Sequence, residues 1–545
     1  MYTAPHKRAA LKTLSAAEYQ PSLYVISSAE DYAAATRRRM ALFMLLGSLL
    51  AGVVAASYVA FGMDNALLPL ALLIVVVTPI LLWRYPRFSL FFTLAAACLF
   101  ELDLIIGPDN AVFSDALTDR IPWFWNVNTL FQVYAHANFK AIPLNLFELF
   151  LILASVCSVL RTVYSRTTTL RVGALFIPIG IYLGCVLLGW IGGVAAGGDF
   201  KISLQEVRSQ FYFGIAYLMA VNIVRERKQI FTLLWITVVC IGIKAILLTF
   251  RRYVTLHGMP LPDQGVGAHE EAFFFDIFIL LLLTLVLCKI LPRLQWLMWS
   301  LLPFVMLANL ACNRRAATAA MVIVFPVIML ALYQALPQRR RLIIGVGVAL
   351  TLVFSVYYPV FQNSDSAFAQ PARAIRSNFQ PDARDASSNA ARDAENANLM
   401  ATIKSNPILG YGYGRPYYHV VKMADISKFY ALEDYIPHNQ ILWVWERVGT
   451  FGFAIFWMMI SAIIIFAAQT LRAPEADGVT KTVGLFSLLL VFLLVIFGLL
   501  DLQLSNFRDV LFVGVWTGTL AVTPGLQPRP PSGRRSGRTG QEAVR

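Results

Sequence analysis

The chain has 545 residues, 58% of them hydrophobic and only 14% charged, with a mean hydropathy of +0.64. An ordinary soluble domain carries roughly 25% charge, so a soluble fold is excluded and the apolar surface has to be buried in lipid. The formal net charge of +14 sits in short Lys and Arg clusters between apolar runs rather than in one stripe, which argues against a nucleic-acid partner and for membrane topology. Cys98, Cys157, Cys185, Cys240, Cys288 and Cys312 lie in or at the ends of apolar runs without CxxC spacing, and read as small hydrophobes rather than metal ligands.

Residues 1–39 are polar, show no apolar core or cleavage site of a removable signal peptide, and are expected to be a cytoplasmic segment. A membrane helix takes about 20 apolar residues, and the pattern predicts an all-α polytopic membrane protein of about fourteen spans. These fall at 40–61, 66–83, 88–106, 141–160, 172–194, 207–224, 229–250, 272–290, 294–311, 315–334, 342–360, 438–468, 482–500 and 507–523. With Arg37, Arg38 and Arg39 in the cytoplasm, every even-numbered connection falls inside: Arg84 and Arg87; Arg161, Arg166 and Arg171; Arg225, Arg227 and Lys228; Lys289 and Arg293; Arg339 to Arg341; Arg472 and Lys481. That is the positive-inside pattern. Residues 524–545 form a basic tail rich in Pro, Gly, Ser and Arg, expected to be disordered and cytoplasmic.

The chain divides accordingly. Residues 40–194 are N-terminal membrane helices, interrupted by a segment at 107–140 that carries Trp123 and Trp125 and is expected to rest on the outer membrane surface. Residues 195–523 form a second membrane region that contains a polar outward loop, 361–437, far longer than a structureless connector usually runs. The loop holds as many Lys and Arg as Asp and Glu, and Ser387 or Ser388 is placed to cap a helix through Lys404 that stops before Pro407.

Ionisable residues in membrane helices are costly and are functional candidates. Those expected on the outer side are Arg208, Lys244, Arg251, Arg252, His269, Glu270, Asp276, Arg314, Arg315, His438, Glu446, Arg447 and Arg508. His438 opens a span in Pro437-His438-Asn439-Gln440, where an imidazole can take a proton from a hydroxyl. The plainer account is an interfacial His bonded to a loop carbonyl. Arg208, Arg314 and Arg315 start spans, where a guanidinium fork suits phosphate oxygens. Each would equally snorkel to a lipid headgroup. Lys244 is expected to snorkel. Glu446, two turns below His438, either pairs with a buried Arg or orients the His. Gly410, Gly412 and Gly414 do not form a phosphate loop and instead allow a tight, left-handed backbone.

Four stretches resemble the O-antigen ligase and polymerase family, the bacterial Wzy and WaaL-type glycosyltransferases. They are Leu204 to Tyr217 with Arg208; Cys312-Asn313-Arg314-Arg315-Ala316; Arg392 through Gly414, ending in Asn406-Pro407-x-x-Gly410-x-Gly412; and His438-Asn439-x-x-Leu442 with Gly449 and Gly452. The chain departs in having Asn313 where the family often has Ser. It also has Glu446 one position before the usual acidic residue, with Arg447 in that place.

The resemblance implies a GT-C-like membrane fold in the bacterial inner membrane, with both termini cytoplasmic and a periplasmic site. It implies a metal-independent, cofactor-free inverting glycosyltransferase. The donor is an undecaprenyl-pyrophosphate-linked oligosaccharide, its diphosphate held by Arg208, Arg314, Arg315 or Arg392. His438 activates an acceptor hydroxyl, and Asn439 and Glu446 support it. A polymerase of exopolysaccharide or O-antigen is expected, because the chain has about two more helices than a ligase would need; its partners are the growing glycan, the bilayer and a chain-length regulator. The alternatives are a ligase acting on lipid A-core or on protein hydroxyls and, from another class, a polysaccharide or lipid transporter or flippase. Against the last stands the absence of an internal repeat.

Overall fold

The computed structural model describes residues 77–99, 146–165, 170–255, 270–335, 337–364, 366–377, 379–425 and 432–526. The expected spans at 40–61 and over most of 66–83, the surface segment at 107–140, His269 and the basic tail beyond residue 526 lie outside the described residues. The helices are α1 (Pro86–Leu99), α2 (Leu146–Ser165), α3 (Phe176–Ala195), α4 (Phe200–Ile223), α5 (Arg227–Phe250), α6 (Glu271–Cys288) and α7 (Pro292–Cys312). There follow α8 (Arg315–Ala335), α9 (Arg340–Phe361), α10 (Gln370–Arg376), α11 (Ala383–Ser405), α12 (Gln440–Arg472), α13 (Gly478–Leu500) and α14 (Phe507–Val522). No strand occurs among the described residues, and nine of their helical stretches are long and apolar enough to cross a membrane. The protein is an all-α, multi-pass membrane protein.

Backbone groups that lose water at helix ends need side-chain partners. Asp199, Asp382, Asn439, Asp477 and Asn506 supply them, each accepting from amides of the first turn of α4, α11, α12, α13 and α14. The loop helix therefore starts one turn earlier than Ser387 or Ser388 would have started it. Asp382 lies where the chain is still extended (φ −71°, ψ 177°) and wins the cap. The helix ends at Ser405, short of Pro407.

Successive spans alternate in direction. The turns between α2 and α3, α4 and α5, α6 and α7, α8 and α9, and α12 and α13 gather at one face, where the basic clusters find partners. Arg87 pairs with Glu226 at 3.0 Å and Arg227 with Asp477 at 2.6 Å; Arg339 donates to the Leu287 carbonyl at 2.5 Å. The opposite face carries the loop with α10 and α11. The α7 to α8 connection there is tight, and Asn313 closes it at φ 52°. Asn tolerates this left-handed conformation better than Ser, which accounts for its presence.

The core runs along α4, α14, α13 and α6. Gly514 and Gly518 let α14 lie against the α4 backbone near Phe213 and Tyr217. Within this core Arg508 is fully buried; it bonds Glu270 at 2.8 Å, Glu271 at 2.7 Å and the Ala97 carbonyl at 2.9 Å. Lys244 does not snorkel. Its Nζ pairs with Glu271 at 3.2 Å inside the bundle and is 1% exposed. With a carboxylate available inside, the ammonium gains more from pairing than from reaching toward the surface.

Candidate active site

The loop between α9 and α12 is a folded cap built on α11. Asn398 holds the later part of the loop from both sides, donating to the Val421 carbonyl at 2.9 Å and accepting from its amide at 2.7 Å. Thr402 accepts from the Tyr418 amide at 2.8 Å. These bonds bring the chain back past α11, so that residues 437–439 enter α12 directly beside it.

At that junction Asn439 does two things. Its Oδ1 caps α12 by accepting from Leu442, and its Nδ2 donates to Asn396 of α11 at 3.1 Å. His438 lies next to it. The His438 amide donates to Glu395 Oε2 at 3.0 Å, and its Nδ1 stands 3.2 Å from Glu395 Oε1. Burial disfavours the charged imidazolium, but the hydrogen bond and charge of Glu395, with the charge of Asp501, outweigh that and the opposing charge of Arg392. The imidazole is held above its ordinary value of 6.5.

Below this junction the glycine-rich segment descends between α3 and α12. Gly410, Gly412 and Gly414 all have φ between 81° and 85°, the left-handed backbone that their spacing suggested. The Tyr411 amide donates to the Glu446 carbonyl at 2.6 Å, the Tyr413 amide to the Gly189 carbonyl at 3.3 Å and the Gly414 amide to Glu206 Oε2 at 2.5 Å. A Cβ on Gly193 would overlap the backbone N and O of Tyr413. Since backbone cannot swing aside as a side chain does, Gly193→Ala should cost about 1–3 kcal/mol and loosen the cap. A drop in the thermal midpoint of the detergent-solubilised protein, with no comparable drop for Gly192→Ala, whose Cβ meets nothing within 4 Å, checks this.

Arg447 ties the segment to the helix. It is fully buried, pairs with Glu206 at 2.8 Å and Glu446 at 3.2 Å, and donates to the carbonyls of Gly412 (2.9 Å), Arg415 (2.8 Å) and Tyr435 (2.7 Å). Glu446 is thus the partner of a buried Arg. The other place considered for it, beside His438, is taken by Glu395, because the Glu446 side chain lies two turns lower and is closed in with Arg447.

The arginines separate. Arg392 is one turn before Glu395 on α11 and within electrostatic reach of His438. Arg315, at the start of α8, meets the same helix further back, pairing with Asp385 at 3.3 Å and donating to Ser388 at 3.2 Å. The half-buried Arg314 precedes it. Arg208 pairs with Glu148 of α2 at 3.0 Å, an acid that also accepts from Tyr212 at 2.8 Å. His438, Asn439 and Arg392 therefore form one group, Arg315 meets α11 further back, and Arg208 and Glu446 each belong to a different ion pair. Glu206 and Glu395 escaped the sequence reading. The one hint was that an imidazole base commonly pairs with a carboxylate, and the helix before His438 carries Asp385, Asp393 and Glu395.

The family described as O-Antigen ligase matches residues 300–457, a stretch from within α7 to the middle of α12. It includes Arg314, Arg315, Arg392, Glu395, His438 and Arg447, and leaves out Glu206 and Arg208. Over 124 residues the chain is 33% identical to the O-antigen ligase of Salmonella typhimurium (strain LT2); that stretch is 22% of this chain and 29% of the ligase's own length. These matches make residues 300–457, which hold the cap, the glycine segment and the start of the His438 helix, similar to the O-antigen ligase family.

Proposed function

We propose that the protein transfers a saccharide from a polyprenyl diphosphate, of the undecaprenyl type, to an acceptor hydroxyl at the membrane face that carries the cap. The observation that supports this most is the part-exposed imidazole of His438 at the mouth of α12, beside Arg392. A neutral imidazole takes the acceptor proton, and the hydroxyl oxygen attacks the anomeric carbon from the side opposite the diphosphate. The glycosidic C–O bond breaks, and its electron pair leaves on the diphosphate. Arg392 is the first candidate to hold that growing charge, with Arg315 further back along α11, Arg314 before it in the chain and Arg208 more remote; arginine forks neutralise a diphosphate without a metal ion. Asn439 and Glu446 act as supports, through the cap of α12 and through Arg447.

In this reading the fold is GT-C-like, the membrane is the bacterial inner membrane, the cap is periplasmic and the termini are cytoplasmic. The partners are a lipid-linked oligosaccharide and a glycan acceptor. That the Salmonella relative is an O-antigen ligase favours a ligase. The greater length of this chain, of which the shared stretch is a smaller share, favours a polymerase of exopolysaccharide or O-antigen. Purified protein incubated with a lipid-linked repeat unit alone tells them apart. A ladder of lengthening glycans means a polymerase, product only after a second acceptor is added means a ligase, and no transfer with any acceptor sinks the reading.

A further inference from the structure

Glu395 grips His438 at two points, its backbone amide at 3.0 Å and its Nδ1 at 3.2 Å, one carboxylate oxygen to each. An ionised carboxylate only accepts hydrogen bonds, so the contact at Nδ1 requires the hydrogen to be there. The neutral ring then carries its lone pair on Nε2. The grip also fixes where the ring points, because backbone and ring are held by the same rigid group. The adjoining contact of Asn439 with Asn396, also at 3.1 Å, locks α12 to α11 in that register. The Glu395 side chain is 6% exposed and the His438 side chain 32%. The partner is dry while the base stays reachable.

We infer that Glu395 is the positioning residue for His438: it selects the tautomer with Nε2 as base, aims the ring, and balances the imidazolium that forms as the acceptor proton arrives. This rests on the function proposed above and gives a role to a residue that touches the base rather than the substrate. During transfer the proton of the acceptor O–H moves to Nε2, and the electron pair of that bond becomes the new glycosidic bond. Glu395 takes up no proton in this step, and the proton leaves His438 to water or to the departing diphosphate.

The alternative is that Glu395 is only a latch that holds the loop through the amide of His438. The two differ in what happens to the titration of the base. The charges that bear on the ring are Glu395 and Asp501, which favour imidazolium, and Arg392, which opposes it. Glu395→Gln keeps one oxygen, able in this geometry to accept from Nδ1 or from the His438 amide but not from both, and loses the charge. Turnover by the full-length protein on an undecaprenyl-diphosphate-linked oligosaccharide, with its acceptor, should then fall about ten- to a hundredfold, as when other ligand-orienting partners are lost. KM should be little changed, and the acidic limb of the pH profile should move to lower pH. Glu395→Asp should recover part of the rate and restore the limb.

A Glu395→Gln variant with wild-type rate and limb overturns the assignment. So does one that loses rate with an unmoved limb and a lowered thermal midpoint, which is the latch. Should the variants not fold, 15N-histidine spectra of the wild-type protein decide instead. The hydrogen on Nδ1 supports the assignment and the hydrogen on Nε2 overturns it. Wild-type turnover by His438→Ala would fail the functional proposal itself, a separate result.

Discussion

Turnover of lipid-linked donor should fall about 10²–10⁴-fold in His438→Ala, the span typical of losing a general base, while the protein still inserts and folds. The stability expectation follows from position: the ring lies before α12 and is part-exposed, and the cap of that helix is made by Asn439. Donor binding should persist, since the arginines remain, so the loss falls on turnover rather than KM. An equal rate in the variant would remove His438 from the chemistry. The pH dependence has a definite sign. The base works neutral, and its neutral form is disfavoured by Glu395 and Asp501, so activity should climb with pH on an acidic limb lying above 6.5. The folding contribution runs the other way. A group with a raised value in the folded state adds stability that is full below its unfolded value, near 6.5, and is lost as pH rises through the folded one. The contact of His438 with Glu395 therefore steadies the cap most where the proposed transfer is slowest.

Arg447→Met is expected to cost about 3–5 kcal/mol, because removing one partner leaves buried charge uncompensated. Glu206 and Glu446 would keep carboxylates with no cation beside them, and the carbonyls of Gly412, Arg415 and Tyr435 would lose their donor. A lowered thermal midpoint and faster proteolysis of the 406–435 segment would register it. Arg447→Lys should recover only part, since an ammonium matches the charge but not a planar fork that serves two carboxylates and three carbonyls. A melting curve unchanged in Arg447→Met would mean the buried pair contributes nothing net. Activity should fall as well, although the guanidinium is two turns below His438, because the cap that carries Glu395 is anchored through it.

Local features of the sequence proved readable because their physics is local. Apolar length marks the spans, the glycine spacing marks left-handed backbone at residues 410, 412 and 414, and Pro407 stops α11. The charge signs of the connections anticipate one basic face, now joined by ion pairs such as Arg227 with Asp477. Contacts across distance were not readable. Glu395 and His438 are 43 residues apart, and only the fold of the cap makes them neighbours. The same holds for Glu206, which reads as an ordinary residue ahead of Arg208 until Gly414 and Arg447 close on it. The span expected at 207–224 begins at Phe200, since Asp199 caps it and Glu206 finds partners inside the protein. A hydropathy reading discounts those polar residues, whereas internal pairing lets them sit within the helix.

Gly449 interrupts α12 with φ 68° and ψ 179°, and the freed amide of Thr450 turns to the Pro407 carbonyl at 2.8 Å. The element is therefore two rods joined at a hinge rather than one long lever. The upper rod, which begins beside His438, is bolted to the cap through Arg447. The lower rod buries Phe456, Met459, Ile460 and Ile463 within the bundle and leaves Phe451, 66% exposed, on the outside. The Thr450 amide and Oγ1 both reach the Pro407 carbonyl at 2.8 Å, and a Cβ on Gly449 would meet the Ile408 carbonyl and the Gly410 amide, so the break seats the start of the glycine segment, and one helix serves at once as an anchor for the cap above and a strut of the bundle below.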